Sequence, residues 1–252
     1  MPLSKCTLTI QETLNWIAGF IQQRITVGIG AFTDPISALD PGLTSANYIM
    51  NIIMGAPFCW EWNRTYASAA ITTVAGQTDY PISLPTFGFL EEAVLVNSSP
   101  GTNEPPNFKL EIYGSLSKDG QEARPEKICV LLDNNNGTIT FRVFPQPDAV
   151  YTIDLQYQNA PILATVLGAT TWAPIPDKLA YLYEGGLRAQ MYAIYNTQLY
   201  LQSMELFLRN LVAASTGLTE MQKAIFLEDS LRIARTRADS LTGAQQGKQV
   251  RI

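Results

Sequence analysis

Residues 150–158 read VYTIDLQYQ, and the reading of this stretch decides the fold class. Tyr151, Ile153, Leu155 and Tyr157 take every second position, with Thr152, Asp154 and Gln156 between them. A period of two puts the two sets on opposite faces and predicts a half-buried strand. Residues 138–144 do the same, with Ile139, Phe141 and Val143 on one face. They follow Lys127–Leu132 across Asp133-Asn134-Asn135-Asn136-Gly137, a hairpin turn by composition. Further strands are expected over Ser68–Val74, Tyr80–Leu84, Leu90–Val96 and Phe108–Tyr113. Short strands separated by Gly, Pro and Asn predict an antiparallel β-sandwich or barrel domain over residues 61–172.

On both sides of this region the period returns to that of a helix. Ile10, Leu14, Ile17, Ile21 and Ile25 recur at three- and four-residue steps, and Thr9 with Glu12 forms a capping-box pair. After the Asp40-Pro41-Gly42 turn, Thr44 or Ser45 is expected to cap a second helix, which carries Ile49, Ile52 and Ile53 and stops at Pro57. Beyond Pro174-Ile175-Pro176, Asp177 is expected to cap one helix of about ten turns, apolar from Leu179 through Leu187 and Leu201 to Leu211. Gly185-Gly186 inside it predicts a close crossing by another helix or a flex point. Gly217 ends it, and Thr219 with Gln222 opens another helix through Leu227, Leu231, Ala234 and Ala238. Thr242–Ile252, with Gly243 and Gly247, reads as an extended arm. The expected fold is α+β: a four-helix bundle from residues 1–60 and 173–241, an inserted β domain over 61–172, and an extended C-terminal tail over 242–252.

The 252 residues are 46% hydrophobic, enough for a sizeable core, and contain no histidine. Without imidazole there is no Ser-His-Asp or Cys-His triad and no His-ligated metal. Cys6, Cys59 and Cys129 have no paired spacing and no base to activate them. Val27-Gly28-Ile29-Gly30 supplies only two glycines of a dinucleotide fingerprint and lacks the surrounding strand–helix unit. Glu91 and Glu92 are neighbours on a strand, so they are expected to face opposite ways and cannot flank one glycosidic bond. No catalytic residue, cofactor or metal ligand is predicted. The longest apolar run, Tyr48–Trp60, is interrupted by Asn51, Gly55 and Pro57 and is about half a membrane span. No leader pattern opens the chain, and a soluble protein is expected.

Lys and Arg number 17 against 22 Asp and Glu, so the net charge of −5 supplies no general grip on nucleic acid. The charge is uneven. Residues 61–175 hold six basic and twelve acidic side chains. From Ser230 onward, Arg232, Arg235, Arg237, Lys248 and Arg251 face only Asp239. Such a basic end suits either the dipole of its own helix or an acidic partner. The aromatic cluster Trp60, Trp62 and Tyr66 also has two readings. It is a stacking platform, or it packs the joint between the helical and β parts, which its position favours.

Trp60-Glu61-Trp62-Asn63-Arg64, Gly76-Gln77-Thr78-Asp79-Tyr80-Pro81 and Leu84-Pro85 resemble the sheet entry of tailed-bacteriophage head–tail adaptor (connector) proteins. Asp154-Leu155-Gln156-Tyr157-Gln158-Asn159-Ala160-Pro161, with Pro174 through Leu179, resembles the exit. The resemblance implies a structural virion protein at the head–tail junction, assembled in the host cytoplasm, with no enzymatic activity and no membrane partner. It implies a homo-dodecameric ring beneath the portal protein. That ring continues the DNA channel without binding duplex DNA specifically and carries the next tail component. A C-terminal segment of such adaptors reaches the portal, which makes Lys248, Gln249, Val250, Arg251 and Ile252, with Arg232 and Arg235, the expected portal-binding residues. The alternative is a β-domain carbohydrate-binding or tail-associated ligand-binding protein that uses Trp60, Trp62 and Tyr80.

Overall fold

The computed structural model describes residues 7–23, 30–33, 40–96, 107–118, 120–134 and 136–249. Two compact units form, one from Met1–Trp62 with Pro161–Ile252 and one from Asn63–Ala160.

The first unit is helical. Helix α1 spans Ile10–Gln22 and starts with the expected capping box: Glu12 N–H donates to Thr9 Oγ1 at 3.1 Å, and Thr9 N–H donates to the Glu12 carboxylate at 2.8 Å. Helix α2, Pro41–Met54, begins earlier than expected because Asp40, not Thr44 or Ser45, is its cap. Asp40 Oδ1 accepts from the N–H groups of Gly42 and Leu43 at 2.8 and 3.1 Å, and Pro41 has no N–H to satisfy. Asp177 is not the N-cap position of α3, Ala180–Tyr195, which is Leu179; it begins a short 3₁₀ turn, Asp177–Leu179, ahead of that helix. Helices α4 and α5 are Thr197–Ala214 and Glu220–Gln249. The Thr219–Gln222 pair caps α5 as expected, with Gln222 N–H donating to Thr219 Oγ1 at 3.3 Å.

Helix α3 is central and packs on α1, α2 and α4, while α5 packs on α4. The core joins Ile10, Leu14 and Ile17 of α1 to Ile49 and Ile53 of α2, Leu182 and Leu187 of α3, and Phe207 and Leu211 of α4. Trp172 completes it, fully buried, its ring stacked on Tyr183 at 4.4 Å and its Nε1–H donating to Thr13 Oγ1 at 2.9 Å. The return segment is fastened by backbone bonds: Ile10 N–H to Thr170 O at 2.9 Å and Gln11 N–H to Leu167 O at 3.0 Å. Phe32 is pinned to Asn15 of α1, whose Oδ1 accepts from its N–H at 2.7 Å and whose Nδ2 donates to its carbonyl at 3.1 Å.

The second unit contains β1 (Arg64–Thr72), β2 (Asp79–Ser83), β3 (Phe87–Val96), β4 (Asn107–Lys109), β5 (Glu111–Tyr113), β6 (Lys127–Asp133), β7 (Thr138–Phe144) and β8 (Thr152–Asn159). They make two four-stranded sheets, ordered β1-β8-β3-β4 and β2-β7-β6-β5. Leu155 of β8 lies opposite Ala67 of β1 and Ala93 of β3, and Ile139 of β7 lies opposite Ile82 of β2. Ile153, Leu155 and Tyr157 of one sheet and Ile139, Phe141 and Val143 of the other meet in one core. These six alternating positions read from the sequence are buried, while Tyr151, the first of its set, is half-buried and precedes β8.

The expected fold class needs correction. A four-helix bundle carrying an antiparallel sandwich and ending in an extended tail is not what the chain forms: the described residues hold five helices and two sheets. The helix expected from Asp177 to Leu211 is two, because Asn196 takes φ −153° and ψ 84° and turns α4 back along α3. The strand expected over Phe108–Tyr113 is also two. Buried Leu110 separates β4 and β5, which belong to different sheets, and β5 pairs parallel with β6. The arm expected from Thr242 is helical through Gln249. Extending an existing helix costs little once nucleated, so Ala244, Gln245, Gln246 and Lys248 carry it past two glycines.

Candidate functional site

The residues that carried the family resemblance are a hydrogen-bonded frame. Trp60 is 4% exposed, donates from Nε1 to Ile53 O at 2.6 Å, and stacks on Phe58 and Trp62 with ring centres 6.0 and 5.7 Å apart. Asn63 Nδ2 donates to Asn159 O at 2.9 Å, and Asn159 Nδ2 donates back to Asn63 O at 2.8 Å. Arg64 pairs with Glu91 through Nε and Nη2, and Gln158 Nε2 donates to Glu91 at 2.7 Å. Burial pushes the Glu91 carboxyl up, but Arg64 and Gln158 outweigh it and hold it below the usual carboxylate range.

The Gly76–Pro81 segment is a closed turn. Gly76 has φ +82°, a conformation that suits glycine. The Tyr80 hydroxyl donates to Gln77 O at 2.7 Å and accepts from Val74 N–H at 3.2 Å. Asp79 takes Arg142 Nε at 2.7 Å and Nη2 at 3.0 Å, with Lys118 at 3.2 Å. The Arg142 hydrogen bonds hold the Asp79 carboxyl down to about 2. Arg142 also donates to Leu116 O at 2.9 Å. Nothing in the local sequence pairs residues 79 and 142; only strand register brings them together.

Of the aromatic trio, Trp60 and Trp62 are together, both packed in the helical core. Tyr66 is 61% exposed on β1, and its hydroxyl donates to Asp154. A stacking platform needs open ring faces. Trp60 and Tyr80, at 4% and 6% exposure, do not offer them. Glu91 and Glu92, expected to face opposite ways, take different cations. A β-bulge between Leu90 and Glu92 interrupts the alternation, while Arg64 holds Glu91 and Lys109 holds Glu92 at 3.2 Å. Burial raises the Cys129 thiol, the reverse of an activated cysteine. Cys6 and residues 27–29 lie outside the described residues. Among the described residues no group of His, Cys, Asp and Glu could hold a metal, and no helix is long and apolar enough to cross a membrane.

Of the basic residues singled out in the sequence, Arg232, Arg235, Arg237 and Lys248 lie on α5. Arg232 is exposed and pairs with Asp229 at 2.9 Å, and Arg235 is exposed on the next turn. Lys248 and Gln249 form the helix end, while Val250, Arg251 and Ile252 lie outside the described residues. One side of α5, with Leu231, Ala234 and Ala238, packs on the core; Met221, Ile225 and Ile233 are exposed.

Over residues 55–241 the sequence matches the family described as SU10 adaptor protein. No curated protein matches it.

Proposed function

The chain belongs to the SU10 adaptor protein family of phage head–tail adaptors, and from that premise we propose that it is the ring component between portal and tail. As a phage adaptor it is a structural protein of the virion. In the proposed role, copies assemble as a homo-dodecamer beneath the portal protein, continue the DNA channel and carry the next tail component. The family match carries this reading. Two further observations support it: Asp79, Glu91 and Glu92 of the β unit are engaged in structural ion pairs, and α5 presents Arg232 and Arg235 to solvent.

Portal attachment is assigned to α5 as a helix, through Arg232, Arg235, Lys248 and Gln249 together with Val250, Arg251 and Ile252. A net charge of −5 suits a channel through which DNA slides, since each neutralised phosphate would strengthen binding by releasing counterions. The test mixes purified portal with the full chain and with a chain ending at Leu241, followed by native mass spectrometry and negative-stain imaging. The full chain should form a ring on the portal. The shortened chain should melt at nearly the same temperature and fail to attach. Undiminished attachment of the shortened chain removes the α5 end from the mechanism, and a full chain that ignores portal refutes the adaptor position.

A further inference from the structure

Arg237 of α5 stands between two concavities of the helical unit. Its guanidinium lies 5.7 Å from the ring centre of Tyr48 and 5.6 Å from that of Tyr200, distances at which ring faces hold a cation. To one side is a cavity of ≈ 320 Å³, walled by Ile52, Met204, Leu208, Phe226 and Ile233 from α2, α4 and α5. To the other is a cavity of ≈ 210 Å³ bounded by Thr44, Ser45, Gln190 and Ile194. Tyr48 and Arg237 line both.

The charges around this pair do not balance. Among the described residues no carboxylate lines either cavity. Gln190 is 3% exposed, yet its Nε2 has no hydrogen-bond partner, an exception among buried polar groups. A cation set between two rings therefore lines the same cavity as an unused donor, beside an apolar hollow whose Ile233 is 63% exposed.

We propose that these joined cavities are a docking site for a partner protein segment that carries an acidic side chain next to an apolar one. Arg237 and Gln190 seat the carboxylate, and the larger cavity takes the apolar neighbour. The terminal torsion of glutamine is broad, so the Gln190 amide turns toward the incoming oxygen at little cost. The guanidinium offers the planar fork that a carboxylate matches. A phosphate fits less well. Among the described residues Arg237 is the one cation lining the smaller cavity, and the Gly42 and Leu43 N–H groups at the start of α2 are already taken by Asp40.

The test titrates the full, isotope-labelled chain with acetyl-Leu-Glu-amide, acetyl-Leu-Gln-amide and inorganic phosphate while following side-chain resonances. The Leu-Glu peptide should shift the Arg237 Nε–H and Gln190 amide signals. It should bind about tenfold more tightly than Leu-Gln, as one charge-assisted hydrogen-bonded pair warrants. Arg237→Met should erase that preference while leaving distant resonances in place. Should this variant not fold, the two peptides on the unaltered chain still decide the matter. Equal affinity for both peptides, shifts confined to other residues, or tighter binding of phosphate would overturn the proposal.

Discussion

Gly185 and Gly186 are adjacent in α3, and the same substitution at each should have opposite effects. Replacing a mid-helix glycine by alanine gains about 1 kcal/mol of helix propensity. At Gly185 an added Cβ meets no atom within 4 Å, so Gly185→Ala should stabilise by roughly 0.5–1 kcal/mol. At Gly186 the new Cβ would lie 2.8 Å from Ile49 Cδ1, 2.9 Å from Ile49 Cγ2 and 3.1 Å from Phe207 Cε2. Cγ2 is bonded directly to the Ile49 Cβ, and a β-branched side chain in a helix is stiff. Both neighbours are buried, so α2 itself must retreat. Overpacking of this kind costs about 1–3 kcal/mol, which cancels or exceeds the propensity gain and leaves Gly186→Ala neutral to about 2 kcal/mol destabilised. Trp16, Trp60, Trp62 and Trp172 all lie in the helical unit, so tryptophan fluorescence during urea unfolding reports that unit alone. A difference of 1 kcal/mol corresponds to roughly 2–4 °C in a thermal scan. If Gly186→Ala stabilises as much as Gly185→Ala, the close approach of α2 and α4 is not what keeps glycine there.

Three other outcomes are expected. The Asp79 carboxyl is held down to about 2 by Arg142, so its contribution is fully present above pH ~4 and fades as pH falls toward ~2; Asp79→Asn should cost about 1–2 kcal/mol at neutral pH and flatten that acid limb in unfolding of the β unit followed by hydrogen exchange of its strand amides. Asp40→Ala should cost about 1 kcal/mol by loss of the α2 cap, whereas exposed Thr44→Ala should change little; equal losses in urea midpoint would return the cap to Thr44. Trp172→Ala removes a fully buried ring and its bond to Thr13, and should lower helical-unit stability by about 3–5 kcal/mol in calorimetry; a loss under 1 kcal/mol would mean the site collapses around the gap.

What the sequence by itself determined is local. The Thr9–Glu12 and Thr219–Gln222 boxes are legible because both partners of each bond lie three residues apart. Strand β7 matches its expected span residue for residue, since alternation at Ile139, Phe141 and Val143 needs no knowledge of the partner strand. Absence of histidine and the family motifs are equally properties of the string, and the family match bears out the resemblance those motifs carried.

Only the tertiary structure decided where periodic signals change partner. The apolar phase runs unbroken through Asn196, with neither Gly nor Pro to mark the corner, and the chain turns there because α4 buries more by packing back on α3. Leu110 looks like one strand residue among others, yet it is the point where the chain leaves one sheet for the other. Asp79 finds Arg142, and Arg237 finds Tyr48 and Tyr200, across distances in sequence that no short pattern encodes. Hydrogen bonds between near neighbours are written in spacing. Contacts between distant residues depend on which pairing of elements buries the most surface, a choice made by the whole chain at once.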